Sequence, residues 1–256
     1  MPLTHFPKVL RVESVDSTNL EIRRLYKKRQ AEQGTVLITT LQTAGRGRGE
    51  NRWHSPRGGL YLSLLLAPIQ FKRVTDLSLL AGVALAQTVR TLLPKAVEVG
   101  LKWPNDCLLN WKKVGGILCE VLPDSPEGLC VVGMGINVNT PVAELQPFLT
   151  RPFSATSFME ECPDSIFALD KVAELLLAKM DTLYSAYQAN GFKPIQQLWE
   201  RNCALVGKRV EVSLSPGNKV QGTCLGIDEQ GALLVTAAEP GERRRIVSGE
   251  LICYWQ

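Results

Sequence analysis

Apolar and polar positions divide the chain into two textures. The polar cluster Asp16-Ser17-Thr18-Asn19 precedes Leu20, Ile22, Leu25 and Tyr26 at helical spacing, and Lys27, Lys28 and Arg29 follow. That pattern predicts a helix with a polar cap and a basic end that complements its dipole, closed by Gly34. Val36–Thr40 reads as a strand. Leu60–Leu66 is apolar on both faces, as a covered strand should be. Asp76 predicts the start of a long helix that runs to about Leu93 and is closed by Pro94. Strands follow at Val97–Lys102, Asp106–Leu109, Val114–Leu122 and Cys130–Ile136, with turns at Asn110–Lys113 and Pro123–Gly128. Helical spacing returns from about Ser165 to Ala189, through Leu169, Val172, Leu176 and Met180, and again from Ile195 to Arg201. From Lys208 the texture changes. Short strands at Val210–Ser213, Val220–Ile227, Leu233–Thr236 and Arg245–Val247 alternate with turns at Ser215–Asn218, Asp228–Gly231 and Glu239–Glu242. The pattern predicts an α+β fold: a mixed β-sheet with helices over residues 1–205, then a small C-terminal β-barrel over residues 206–256.

Composition narrows the class. The chain has 256 residues, 45% hydrophobic and 21% charged, as expected of a globular protein with a substantial core. A net charge of +4 is too mild for a general nucleic-acid binder. The seven cysteines contain no Cys-x-x-Cys pair, so neither a disulfide framework nor a zinc site is indicated, and reduced thiols in the cytoplasm are expected. With only His5 and His54, a histidine-rich metal site is excluded. No secretory signal or transmembrane run is visible; the longest apolar stretch, Leu77–Ala86, reads as a buried helix.

Four clusters carry candidate chemistry. Gly45-Arg46-Gly47-Arg48-Gly49-Glu50-Asn51-Arg52-Trp53 lies between two strands. Its glycines permit close backbone approach, its arginines suit phosphate or carboxylate, and Trp53 could stack on a flat ring. The plainer alternative is a solvated loop; it is neither a Walker loop nor a dinucleotide fingerprint. Lys102-Trp103-Pro104-Asn105-Asp106 lies at a strand end, where Lys102 could neutralise phosphate and Asp106 could bind a polar edge or help hold Mg²⁺; a turn with a packing Trp is the alternative. Lys112-Lys113-Val114-Gly115-Gly116 brings lysines to a glycine-rich strand start, or forms a basic hairpin. In Gly133-Met134-Gly135-Ile136-Asn137, alternating glycines leave room for a flat ligand and Asn137 offers a polar group; tight packing is the alternative.

Taken together, these motifs resemble the bacterial biotin protein ligases. The resemblance rests on Ser17-Thr18-Asn19, Gln42-Thr43-Ala44-Gly45-Arg46-Gly47-Arg48, Trp53-His54-Ser55-Pro56, Leu60-Tyr61-Leu62-Ser63, the Lys102–Asp106 block and Lys113 with Gly115-Gly116-Ile117-Leu118. The Gly-x-Gly-Ile-Asn strand, Ala155-Thr156-Ser157 and Gly226–Val235 extend it over almost the whole chain. It implies a catalytic domain like that of class II aminoacyl-tRNA synthetases, with ATP and biotin as substrates and Mg²⁺. Ser17, Thr18, Asn19 and Gln42 would line the biotin pocket, with Gly115 and Gly116. Gly45, Arg46, Gly47 and Arg48 would form a loop over biotin and its adenylate. Arg48 and Lys113 would be the catalytic cations, Lys113 gripping the biotin carboxylate. Trp53 would pack against adenine. Arg46, Lys102, Asn105, Asp106 and Asn137 would surround the nucleotide, Asp106 or Asn137 being candidates toward Mg²⁺.

The implied reaction makes biotinyl-AMP and pyrophosphate, then transfers biotin to a lysine of a biotin carboxyl carrier protein of acetyl-CoA carboxylase. The sequence departs from the family at Gly49-Glu50-Asn51, where many members carry further basic residues. Ser17 also lies close to Met1, which leaves no room in this sequence for the DNA-binding domain of some members, so no DNA partner is expected. No membrane partner is expected either. A homodimer is compatible with the resemblance, since members often pair through sheet edges, although no patch here marks such an edge. Three alternatives carry distinguishing features. A lipoate ligase is disfavoured by Ser-Thr-Asn with Gly-Arg-Gly-Arg. A binding-only regulator would need a DNA-reading helix. A silent interaction protein would lack Arg48 or Lys113. Cys107 and Cys119 read as packing residues.

Overall fold

The structure, a computed structural model, describes residues 3–68, 73–123, 125–145, 154–215, 217–236 and 242–255. A mixed sheet of seven strands forms its centre. In chain order these are β1 (Lys8–Arg11), β2 (Thr35–Thr39), β3 (Leu60–Leu66), β4 (Val99–Lys102), β5 (Asp106–Leu109), β6 (Lys112–Val121) and β7 (Cys130–Ile136). Their spatial order is β1-β2-β3-β7-β6-β5-β4, with β1 parallel to β2 and every other pair antiparallel.

Side chains alternate across a strand, so each strand divides its residues between two faces. Val36, Ile38, Leu60, Leu62, Leu64, Val132, Met134, Ile136 and Ile117 pack on one side with helices α2 (Val74–Leu92) and α5 (Leu169–Asn190). The opposite face is covered by the shorter α1 (Thr18–Lys27), where Ile22 packs with Leu37, Leu65 and Val131. Beyond the N-terminus of α1 that face carries Gly116 and Gly135, which are partners in the β6–β7 register, and Gly133, which lies opposite Leu118. A cavity lies there, where side chains are missing from the sheet and a helix ends.

The helices α3 (Val142–Leu145), α4 (Phe158–Glu161) and α6 (Lys193–Asn202) complete the helical layer. A second, five-stranded antiparallel sheet follows: β8 (Arg209–Ser215), β9 (Asn218–Ile227), β10 (Leu233–Thr236), β11 (Arg243–Ile246) and β12 (Glu250–Trp255), in the order β11-β10-β9-β8-β12. The first half of β9 pairs with β8 and the second half with β10. Among the described residues the outer strands β11 and β12 do not pair with each other, so the expected barrel is seen as an open strand order. This sheet docks on the first layer. Trp103 Nε1 donates to Gly231 O at 3.1 Å and Gln196 Nε2 to Ile227 O at 2.9 Å.

Four features differ from the sequence pattern. The strand β1 has exposed or half-buried residues throughout, so its edge position gives no alternation to read. The strand expected from Val97 begins at Val99. Asp76 does not cap α2; it lies in the first turn, buried, and accepts from Tyr187 Oη at 2.9 Å and Arg73 Nη2 at 2.7 Å. The hairpin turn expected over Asn110–Lys113 tightens to Asn110-Trp111, both at positive φ (44° and 65°), which is the backbone a two-residue hairpin favours. Parts of the expected turns at Pro123–Gly128, Ser215–Asn218 and Glu239–Glu242 lie outside the described residues.

Candidate active site

The cavity on the α1 face has a volume of about 280 Å³ and is lined by Ser17, Thr18, Asn19, Gln42, Arg46, Gly47, Arg48, Trp53, Lys102, Asn105, Asp106, Lys113, Gly116 and Asn137. All but two of the residues singled out from the sequence thus converge on one space. The exceptions are glycines. Gly45 is packed against Trp53 O and Ser55 Oγ, and Gly115 faces Leu85 on α2, across the sheet from the cavity.

One end of the cavity is cationic. The β4–β5 hairpin turns through Trp103-Pro104-Asn105, with a cis bond before Pro104, and sets Lys102 opposite Asp106 in the ladder. Lys102 Nζ lies 3.1 Å from Asp106 Oδ2, and Lys113 Nζ, from β6, lies 2.6 Å from Oδ1. Lys102 and Asp106 are 6% and 9% exposed, so this charge group is largely out of water. Burial pushes the Asp106 carboxyl up, but Lys113 and Lys102 outweigh it and hold the group below the ordinary carboxylate value. Burial lowers the Lys102 ammonium, and Asp106 restores only part of the loss. Lys102 Nζ also reaches Leu251 O at 3.4 Å. Asn105 Nδ2 donates to Ile117 O at 2.7 Å, which ties the turn to β6 and commits that amide to structure.

The other end is polar and neutral. Thr18 N and Oγ1 both donate to Gln42 Oε1, at 2.8 and 3.1 Å, and Gln42 Nε2 donates to Ser55 Oγ at 2.8 Å. Ser63 Oγ lies 2.6 Å from Asn19 Oδ1 and 2.8 Å from Thr18 Oγ1. Asn19 donates both amide protons, to Leu118 O at 3.2 Å and Glu120 Oε2 at 2.9 Å, so its role at a ligand is to shape the wall. A Cβ on Gly133 would strike Asn19 Oδ1, and one on Gly135 would come within 2.5 Å of Trp53 Nε1. The alternating glycines therefore make room for Asn19 and for the indole.

The arginine–glycine segment is a small hairpin. Trp53 N donates to Gly45 O at 3.0 Å, Gly47 N to Asn51 O at 2.8 Å, and Arg46 pairs with Arg52. Gly49, at φ +60°, takes the tip, a conformation that L residues disfavour. Lys113 Nζ stands 5.1 Å over the Trp53 ring. Arg48 Nη1 donates to Gly249 O of the second sheet at 3.1 Å.

The sequence matches two family models, the Biotin/lipoate A/B protein ligase family over residues 12–137 and the Biotin protein ligase C terminal domain over residues 205–252. It is 31% identical over 244 residues to the biotin–[acetyl-CoA-carboxylase] ligase of Paracoccus denitrificans, covering 92% of this chain and 96% of that one. The chain belongs to the biotin protein ligase family. It is also 35% identical over 212 residues to the bifunctional ligase/repressor BirA of Bacillus subtilis, covering 82% of this chain and spanning 63% of that protein's length. Among solved structures, the biotin protein ligase of Aquifex aeolicus in complex with biotin and ATP superposes with a TM-score of 0.78, at 27% identity and over 96% of this chain and 98% of that one.

The second sheet also contributes to this cavity, which no sequence motif marks. Glu250 and Leu251 line it, and Gly249 O and Leu251 O accept from Arg48 and Lys102. No local signal marks them, because the contacts are backbone carbonyls. Ala155 bridges to Lys113, with Lys113 N donating to Ser154 O at 2.7 Å, so the Ala-Thr-Ser segment shapes the cavity wall through backbone pairing. Burial pushes the Cys107 thiol up to about 12 and that of Cys119 well above its ordinary value, so both stay protonated and serve packing.

The oxygen donors of the cavity are few. Among the described residues no three His, Cys, Asp or Glu side chains form a metal cluster. Both Asp106 oxygens already face ammonium groups, whereas the buried Asn137 Oδ1 has no partner. These residues do not fit a resident metal site; Asn137 Oδ1 would be the protein oxygen left to meet a cation that came with a triphosphate.

Proposed function

We propose that this chain is an ATP-dependent biotin protein ligase. The carboxylate of biotin attacks the α-phosphorus of ATP, the bond to the bridging oxygen breaks, and pyrophosphate leaves. The amine of a carrier-protein lysine then attacks the acyl carbon of biotinyl-AMP, and AMP leaves with the acyl–phosphate bond. In this reading residues 1–205 form the catalytic domain and residues 206–256 a second domain that closes one side of the cavity.

The observation that carries the proposal is the Lys102–Asp106–Lys113 group, buried at one end of a cavity whose other end is a neutral polar pocket. A carboxylate and a triphosphate repel each other, and the reaction needs fixed cations where they meet. Lys113 is the more accessible of the two lysines, 25% exposed, and is assigned to the biotin carboxylate and the forming acyl-phosphate. Arg48 adds charge from the hairpin, and Lys102 from below. Asp106 keeps both ammonium groups in place. Ser17, Thr18 and Gln42 are assigned to the ureido end, Arg46 and Gly47 to the cover over the adenylate, and Trp53 to the wall on which adenine stacks. MgATP enters as the substrate. The 45–53 hairpin lines the cavity and opens to admit the nucleotide beside the vitamin. Its return over the mixed anhydride excludes water.

The family model also covers lipoate ligases. The polar lining by Thr18, Gln42 and Asn19 favours biotin, because a ureido group offers donors and an acceptor that a dithiolane ring lacks. The test is mass spectrometry of a purified biotin carrier domain incubated with this chain, MgATP and either vitamin. Addition of one biotin to one lysine is expected. Modification by lipoate alone, or none, would overturn the proposal.

A further inference from the structure

Glu120 has no part in the chemistry above, yet it touches both the polar wall of the vitamin pocket and the hairpin that covers it. Alternation along β6 puts Gly116, Leu118 and Glu120 on the cavity face. From there Glu120 Oε2 accepts from Asn19 Nδ2 at 2.9 Å, while Oε1 lies 3.2 Å from Arg46 Nη1 and 3.5 Å from Arg23 Nη2. Its side chain is 21% exposed, so the pairs are partly shielded from water. Neither neighbour is loose. Asn19 is held by Leu118 O and Ser63 Oγ and fills the space that the missing side chain of Gly133 leaves. Arg46 is paired across the hairpin with Arg52, so restraining it restrains both arms.

We propose that Glu120 is a positioning residue that latches the arginine–glycine hairpin to the start of α1, so that the cover over the activated vitamin is held by the same carboxylate that orients the pocket wall. It touches no reacting atom. Its effect is on how long the intermediate is retained and on how well Asn19 is oriented. The proposal rests on the ligase reading for its kinetic consequence, though not for the latch itself.

Glu120→Gln separates the two contacts. The amide oxygen still accepts from Asn19, but the negative charge that holds Arg46 and Arg23 is gone. In the ligand-free full chain, tryptic cleavage at Arg46, Arg48 or Arg52 should speed up by at least about fivefold, as expected when a charge-assisted contact is lost, with cleavage elsewhere unchanged. The variant should keep the parent KM for biotin within about twofold while releasing biotinyl-AMP into solution at least about fivefold faster when no carrier is present. Glu120→Ala should add a rise in KM, because Asn19 loses its acceptor. General destabilisation would instead raise cleavage throughout the chain. Parent-like hairpin cleavage and parent-like retention in Glu120→Gln would overturn the proposal. If the parent itself forms no biotinyl-AMP, the ligase reading fails, and the cleavage pattern alone still decides the latch.

Discussion

Asp106 and Lys102 carry most of the electrostatic interest at the residue scale. A carboxyl held below its ordinary value contributes stability that is present above the ordinary range and is lost as pH falls through the lowered value. Removing that charge leaves the buried Lys102 without its counterion. Asp106→Asn should therefore cost about 3 kcal/mol at neutral pH, measured by urea denaturation. A loss near zero would mean that the group is screened by solvent. Lys102 carries the opposite sign. Its lowered value means that the folded chain gives up a proton before an ordinary lysine would, so the site loses a cation early as pH rises. Lys102→Arg keeps its charge across that range and should move the alkaline limb of adenylate formation upward. An unmoved limb would show that Lys102 is not the group being titrated. The residue types at this site were legible in the sequence, because Lys102, Asp106 and Lys113 stand in compact motifs. Their three-way pairing was not, since it depends on the β5–β6 register, which brings Lys113 beside a residue of the neighbouring hairpin.

The element scale explains where the cavity lies. Glycines on one face of β6 and β7 remove side chains where α1 ends, and the other face stays fully packed. Two glycines of the same layer system should respond in opposite directions. Gly133→Ala puts a Cβ onto Asn19, which breaks its contacts to Ser63, Leu118 and Glu120. It should weaken biotin binding by at least about tenfold and cost about 1–3 kcal/mol. Gly82→Ala on α2 meets nothing nearer than Leu101 Cδ2 at 3.5 Å, and should stabilise the chain by about 0.5–1 kcal/mol with biotin binding unchanged. Thermal unfolding and isothermal titration distinguish these outcomes, and equal effects would contradict the account of the face. The heavily buried elements β3, α2 and α5 were readable from pattern, β3 as a continuous apolar run and the helices by their spacing, because burial enforces apolar residues. The edge strand β1 was not, because it is exposed or half-buried along its length. The strand β12 gave no readable alternation, because Leu251-Ile252-Cys253-Tyr254-Trp255 is an unbroken apolar run.

The whole molecule contributes through the second sheet. Its Gly249 and Leu251 carbonyls hold Arg48 and Lys102 from a part of the chain some 150 to 200 residues away. Sequence motifs are local, and such backbone contacts leave no trace in them. Arg48→Gly removes the tie between hairpin and second sheet and should release biotinyl-AMP at least about tenfold faster, assayed by rapid filtration without carrier. Equal retention would show that the tie has no role in cover closure. No helix among the described residues is long and apolar enough to cross a membrane, consistent with a pocket assembled from two packed layers.

The central claim is that fixed cations in one cavity allow biotin and ATP to react. Biotin-dependent exchange of labelled pyrophosphate into ATP tests it most directly, run on the parent chain and on Lys113→Ala with stability checked in parallel. The account predicts exchange with biotin but not lipoate, reduced at least about 100-fold in the variant, the scale of losing a fixed stabilising charge. Parent-like exchange in a folded Lys113→Ala protein, or exchange that ignores biotin, would contradict it.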